Sequence, residues 1–126
     1  MRYLILLAFS LLISCNSSKP SKDMMPPSPK ITFDLSKIND DGLAGNGTGQ
    51  VAVDYEFCIP ASEGKATAVK VIDSSLRVMK KGRGRIGCTD REWLCIGSTH
   101  QKNWRKVLNQ LTKLDYVKQI NQTFYE

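Results

Sequence analysis

The stretch that decides the fold is QVAVDYEFCIP, residues 50–60. Its apolar side chains come at every second position: Val51, Val53, Tyr55, Phe57 and Ile59. Because successive side chains of a strand point to opposite faces of a sheet, this period of two predicts a strand with one face in a core. Pro60 ends the strand, since proline has no N–H to donate to a neighbouring strand.

The residues that follow predict four further elements in turn. Apolar positions spaced for one helix face favour a short amphipathic helix over residues 61–72. Residues 76–79 form a second predicted strand, residues 80–91 a polar loop with three glycines, and residues 92–96 a third strand. The chain therefore alternates between the two kinds of element instead of repeating one.

The strongest helix signal lies near the C-terminus. Apolar residues recur there every three or four positions: Trp104, Val107, Leu108, Leu111 and Leu114. Residues 116–125 are predicted to close the fold as a strand. The order strand, helix, strand, strand, helix, strand is that of the ferredoxin-like βαββαβ fold, an α+β class with a four-stranded antiparallel sheet and two helices on one face. In it the first and third strands lie side by side in the centre.

Beyond residue 15 the chain consists of two parts that differ in composition. Residues 16–47 hold four prolines and the start of a glycine-rich run, with four Lys against four Asp, which is typical of a flexible tether. Within it, residues 31–38 alternate enough to add an edge strand. Residues 48–126 carry thirteen Lys and Arg against eight Asp and Glu. We therefore expect a tether over residues 15–47 and one small basic domain over residues 48–126, near the size at which cross-links become useful.

The first fifteen residues indicate where the protein is located. An apolar run over residues 4–13 is about half the length that a membrane-spanning helix needs, and it ends in Leu12, Ile13, Ser14 and Cys15. This resembles the lipobox of bacterial lipoproteins. The resemblance implies removal of residues 1–14 as a signal peptide and attachment of diacylglycerol, with palmitate-type chains, to Cys15. The alternatives are an ordinary signal peptide cut later and an uncleaved anchor.

The same resemblance implies a location and a partner. By the sorting pattern of such lipoproteins, Asn16 after the lipidated cysteine points to the outer membrane, with the domain facing the periplasm. The chain would then contact a membrane through its lipid anchor. A protein outside the cytoplasm rarely meets nucleic acid, so we expect no nucleic-acid partner despite the basic charge.

Three cysteines lie in the predicted domain, and the topology places Cys58, Cys88 and Cys95 near one end of the sheet. A structural disulfide is expected, either Cys58 with Cys95 across neighbouring strands or Cys88 with one of these two, and it would stabilise the domain by about 3–4 kcal/mol. The alternative is a thiol site that holds a soft metal such as Cu(I) or exchanges disulfides. His100 belongs at the other end, so a zinc site that includes it is not expected.

One face of the sheet is expected to be open. Asp54, Glu56 and Cys58 alternate with the core residues of the first strand, and Trp93 and Cys95 share a face of the third. We expect both sets on the solvent side, with Met79 and Tyr125 adding apolar area. Aromatic side chains among charges on such a face suggest a docking surface.

The loop after the second strand is the best candidate for a binding element. Lys80, Lys81, Arg83 and Arg85 place four positive charges in six residues, with Gly82 and Gly84 between them. Glycines of this kind allow backbone amides to turn toward an anion. With Trp93, these residues are predicted to bind an anion or an acidic partner. The alternative is a solvated hairpin tip whose charges protect a sheet edge.

No catalytic constellation is found, and no metal or cofactor is expected. The leading hypothesis is a non-enzymatic, lipid-anchored domain that binds an envelope protein or an anionic ligand. The thiol site is the second hypothesis. A protease-inhibitor-like domain is the third, because residues 111–126, with Val117 and Ile120, resemble the end of subtilisin-type propeptides, where a helix is followed by a strand.

Overall fold

The computed structural model describes residues 28–125. The predicted signal peptide, the predicted lipidation site Cys15 and residues 16–27 of the predicted tether lie outside this range. The architecture is α+β, with two helices and two antiparallel sheets in the described range. The elements follow in chain order: β1 (Leu43–Ala44), β2 (Val51–Ala52), β3 (Asp54–Pro60), α1 (Glu63–Ile72), β4 (Arg77–Met79), β5 (Glu92–Ser98), α2 (Trp104–Thr112) and β6 (Asn121–Gln122).

The main sheet has four strands in the order β4, β5, β3, β6, and every neighbouring pair is antiparallel. β3 and β5 lie side by side in its centre and pair along their whole length, from Asp54 opposite Ser98 to Pro60 opposite Glu92. β1 and β2 form a separate small sheet. The central strand predicted from residues 50–60 is therefore confirmed, although Val51 and Ala52 belong to the small sheet.

Both predicted helices are present, with local reasons for their bounds. Ser62 caps α1, because its hydroxyl accepts a hydrogen bond from the Lys65 N–H at 3.5 Å. α2 buries the apolar stripe that predicted it, and Trp104, Leu108 and Leu111 are at most 1% exposed. The last predicted strand is shorter than expected, since only Asn121–Gln122 pair as a strand.

The main core lies on one face of the sheet, where Tyr55, Phe57 and Ile59 are fully buried with the apolar side of α2. Gly97 lies opposite Tyr55, and a Cβ at position 97 would come within 2.5 Å of the Tyr55 ring. Glycine therefore leaves the space that the ring occupies. The Tyr55 hydroxyl donates to a carboxylate oxygen of Asp73 at 2.7 Å, so a buried polar contact ties β3 to the end of α1.

The expected faces of β5 are wrong. Leu94 lies opposite Cys58, and Cys95 lies opposite Phe57, so Cys95 joins the main core and does not share a face with Cys58. Trp93 also packs against the main core. The sequence could not decide this, because residues 93–96 are all apolar and have no alternation to follow.

The expected boundary at residue 48 is also corrected. Residues 28–47 lie against the domain, and Ile38 is in its core with 4% exposure. The Trp104 indole N–H donates to the Asn39 carbonyl oxygen at 3.0 Å. Ile31 makes a single parallel bridge with Ile120, so this segment flanks β6 without forming the suggested edge strand. These contacts come from residues far along the chain, which is why composition alone predicted a tether.

Candidate functional site

The face of the sheet expected to be open is covered by residues 80–91, which we call the basic loop. A disulfide joins Cys58 of β3 to Cys88, which fixes the end of the loop over the sheet. The predicted disulfide is thereby confirmed, with one of the pairings left open by the sequence. Cys88, Leu94 and Ile96 form a second small core under the loop, and Cys58 and Ile86 pack against it.

Glu56 is the polar anchor of the loop, and its expected place on a wet face is wrong. It is only 2% exposed, and its carboxylate accepts hydrogen bonds from the Ile86 N–H at 2.8 Å and the Thr123 hydroxyl at 3.4 Å. Gly84 has a φ of +64°, and a Cβ there would lie 2.9 Å from a Leu94 methyl and 3.0 Å from a Glu56 oxygen. The loop can approach the sheet this closely because position 84 is glycine.

The charged residues of the loop point to different places. Lys80 pairs with Glu63 and lies 4.7 Å from the centre of the half-buried Trp93 ring, while Arg83 pairs with Asp90. Lys81 is exposed and makes no ion pair within residues 28–125. The residues predicted as one binding element are therefore not a single cluster.

Arg85 lies apart from Lys80, Lys81 and Arg83, at an open groove of about 550 Å³. The groove runs between the segment that precedes β1 and the C-terminal segment. Its apolar walls come from Phe33, Ile38, Ala44, Val53 and Phe124. Beyond β6 the chain stays on the domain, because the Tyr125 hydroxyl donates to the Asp54 carboxylate at 2.8 Å. That hydrogen bond is the main reason why the pKa of the Tyr125 hydroxyl is raised, and burial raises it further.

Contacts between distant residues show which elements share one end of the molecule. The Lys30 ammonium donates to the carbonyl oxygens of Thr112 and Leu114, at 2.8 and 3.0 Å, where α2 ends. The Lys65 ammonium lies 4.3 Å from the centre of the Tyr116 ring, so the start of α1 meets the turn that follows α2.

The basic loop begins and ends at this same end. Lys80 pairs with Glu63, the first residue of α1, and the Ala61 N–H donates to the Arg91 carbonyl oxygen at 2.9 Å. Lys113 directly follows α2, and Lys118 lies two residues before Ile120, whose N–H donates to the Lys30 carbonyl oxygen at 2.8 Å. We call the exposed cations gathered here the basic end: Lys65, Lys80, Lys81, Arg91, Lys113 and Lys118.

Sequence reasoning missed most of the basic end. Only Lys80 and Lys81 were singled out, because they belong to a local run of charges. Arg91, Lys113 and Lys118 are isolated lysines and arginines in the sequence, with no signal to distinguish them from ordinary surface residues. They come together only because both helices and the sheet bring their ends to one side.

The structure does not bring the three cysteines together. Cys95 is fully buried on the opposite face of the sheet from the disulfide, and burial raises the pKa of its thiol to about 12. His100 is exposed in the loop before α2, where a ring nitrogen lies 3.0 Å from the Asp41 carbonyl oxygen. Within residues 28–125 no three His, Cys, Asp or Glu side chains are grouped to hold a metal ion.

Neither helix in the described part of the chain is long and apolar enough to cross a membrane. Comparison with known proteins finds no matching family model, no similar curated protein and no similar solved structure. The functional argument therefore rests on the site itself.

Proposed function

We propose that this chain is a lipid-anchored protein of the cell envelope whose domain is a non-enzymatic binding module for anionic ligands. The observation that carries the proposal is the basic end. Lys81, Arg91, Lys113 and Lys118 are exposed there and make no ion pair within the described residues. Their charges are therefore available to an anionic partner. The resemblance of residues 12–15 to a lipobox supports the anchor.

The domain is also proposed to be ferredoxin-like. The strand order β4, β5, β3, β6 supports this, because it places the first and third strands of the motif in the centre and the fourth beside the first. The contact between α1 and α2 supports a shared helical layer. In such a fold the ends of β3, β4 and α2 and the starts of α1 and β5 lie at one end of the sheet, and the basic end lies there. Fold alone implies no function.

The anionic-ligand proposal is tested with heparin, a sulfated polysaccharide, as a polyanion probe. The polypeptide of residues 16–126 keeps every described residue and avoids the lipid anchor. Replacing Lys81 and Arg91 by Gln should weaken heparin binding by about twofold to fivefold per residue, the usual range for exposed charge pairs. The matched control is Lys102→Gln with Lys106→Gln, two exposed lysines just before and within the first turn of α2. Equal weakening in both variants would overturn the proposed site.

The anchor is tested separately in cells. We expect labelled palmitate to be incorporated into the full chain and to be lost in Cys15→Ser, with the protein moving from the membrane fraction to the soluble fraction. Ser14→Ala serves as the control, since it changes a neighbour and keeps the cysteine. Membrane association and labelling that survive Cys15→Ser would refute lipidation at this residue.

A further inference from the structure

We propose that the basic end binds the surface of an anionic phospholipid bilayer. The domain would then be oriented with this end against the membrane and the opposite end away from it. This inference deepens the proposed function by naming the anionic partner, and it rests on that proposal.

The first argument is where the chain enters the domain. Residue 28 lies at the basic end, because the Ile31 N–H closes a turn onto the Ser28 carbonyl oxygen at 3.1 Å and the Lys30 ammonium binds the last carbonyls of α2. Any anchor that precedes residue 28 is therefore connected to this end. The opposite end, with Asp41 and His100, is the far side of the domain.

The second argument is length. Residues 16–27 separate the proposed lipidated Cys15 from the first described residue. Twelve residues span at most about 40 Å, even when fully extended. A domain of about 100 residues has a radius of gyration of about 13 Å and hence a diameter of about 30 Å. So short a connection keeps the end with residue 28 near the bilayer.

The third argument is charge. The basic end has six exposed cations and four carboxylates, which are Glu63, Asp90, Glu92 and Asp115. One of these carboxylates, Asp90, binds Arg83, which is not among the six. At the opposite end Arg105 is bound to Asp40 at 2.6 Å, and Lys102 and Lys106 are exposed. On the side where the chain enters, the exposed cations therefore outnumber the carboxylates.

The fourth argument is shape. The cations of the basic end come from the start of α1, both ends of the loop and the turn after α2, and each is exposed. The groove of about 550 Å³ lies elsewhere, beside Phe33 and Phe124. Charges spread over one end, away from this groove, suit many headgroups on a surface better than one compact ligand. Basic residues near an anionic membrane strengthen binding by about fivefold each.

The test uses the polypeptide of residues 16–126 and vesicles of phosphatidylcholine with or without phosphatidylglycerol. Cosedimentation should detect binding only to vesicles with phosphatidylglycerol, and added salt should weaken it. The variant Lys81→Gln, Lys113→Gln, Lys118→Gln should bind on the order of a hundredfold more weakly. The matched control, Lys70→Gln, Lys102→Gln, Lys106→Gln, removes the same charge from exposed positions away from the basic end and should bind within a few-fold of the parent chain.

The outcomes separate this inference from the proposed function. Selective loss in the first variant supports the membrane-facing basic end. Equal loss in the two variants shows that net charge alone decides, and it overturns the orientation. Heparin binding without vesicle binding overturns the bilayer as partner and leaves the anionic-ligand proposal standing. Failure to bind either probe overturns both. Circular dichroism of each variant checks that the fold is kept.

Discussion

The two faces of the central sheet are covered in different ways. On one face, Tyr55, Phe57 and Ile59 are fully buried in a large apolar core that includes the apolar side of α2. The other face carries a loop over a small core, and that loop is held by a disulfide and by the buried Glu56. Apolar area stabilises the first face, whereas a covalent bond and a carboxylate stabilise the second.

Each face also contains one carboxylate that is 2% exposed. Asp73, at the end of α1, accepts hydrogen bonds from Tyr55, Ser75 and Gln101. Glu56 accepts hydrogen bonds from Ile86 and Thr123. A small domain can therefore cover one face of its sheet with a loop in place of a helix, if a disulfide and buried hydrogen bonds compensate for the smaller apolar area. Mutations on the two faces should therefore differ in size and in their response to reductant and acid.

The largest effect is expected in the helix-covered core. Phe57→Ala should lower the free energy of unfolding by about 3–5 kcal/mol, because a fully buried aromatic side chain leaves a cavity. Ile86→Ala, at a half-buried position in the loop, is the matched change on the other face and should cost about 1–2 kcal/mol. Urea denaturation measures both. Equal losses would show that the loop-covered core is as tightly packed as the other.

The next effect concerns the covalent bond. Replacing Cys58 and Cys88 together by Ser should lower the free energy of unfolding by about 3–4 kcal/mol, since the disulfide closes a loop with a sequence separation of 30. Limited proteolysis should then cut the loop first. Cys95→Ala is the control and should cost about 1 kcal/mol. If reductant leaves the stability of the parent chain unchanged, the loop is held by its other contacts alone.

A smaller effect is expected at Glu56. Glu56→Ala leaves the Ile86 N–H without an acceptor under the loop and should cost about 1–3 kcal/mol. Glu56→Gln keeps an acceptor of the same length and should cost less. Chemical denaturation of the two variants compares them. A larger loss in the Gln variant would mean that the negative charge, and not the hydrogen bond, fixes the loop.

The smallest effect is a dependence on pH at Asp73. Burial raises the pKa of this carboxyl, but hydrogen bonds from Ser75, Tyr55 and Gln101 outweigh burial and lower the pKa below its usual value. A lowered pKa in the folded state adds stability above about pH 4, and this stability is lost as the pH falls through the folded-state pKa. The difference in stability between the parent chain and Asp73→Asn should therefore shrink in acid. A difference that stays constant from neutral pH downward contradicts this assignment.

The sequence predicted the parts of the fold whose signals are local. Alternation predicted the strand with Tyr55 and Phe57, and helical spacing predicted the helix with Leu108 and Leu111. In each element the apolar residues lie on a single face that packs into the main core, and both predictions are confirmed. The faces of β5 were wrong because its residues are apolar on both sides. The burial of Glu56 was missed because the loop that covers it is about 30 residues away.

The candidate site was predicted less well than the fold. Lys80 and Lys81 were found as a charge run, but Arg91, Lys113 and Lys118 are scattered along the chain and meet only in the folded protein. The disulfide was expected from the number of cysteines, yet the pairing depends on which strand faces the loop. Residues 28–47 were assigned to a tether because their partners, such as Trp104, come from elsewhere in the chain.

The position of the disulfide also determines how the domain responds to mechanical tension. The bond between Cys58 and Cys88 closes a ring that contains α1 and β4. When the chain is pulled between residues 28 and 125, force passes through the bond and bypasses the ring. Unfolding of the oxidised domain should therefore release about 100 Å less contour length than unfolding of the reduced domain. Single-molecule pulling would record the redox state of this one bond as a step in length.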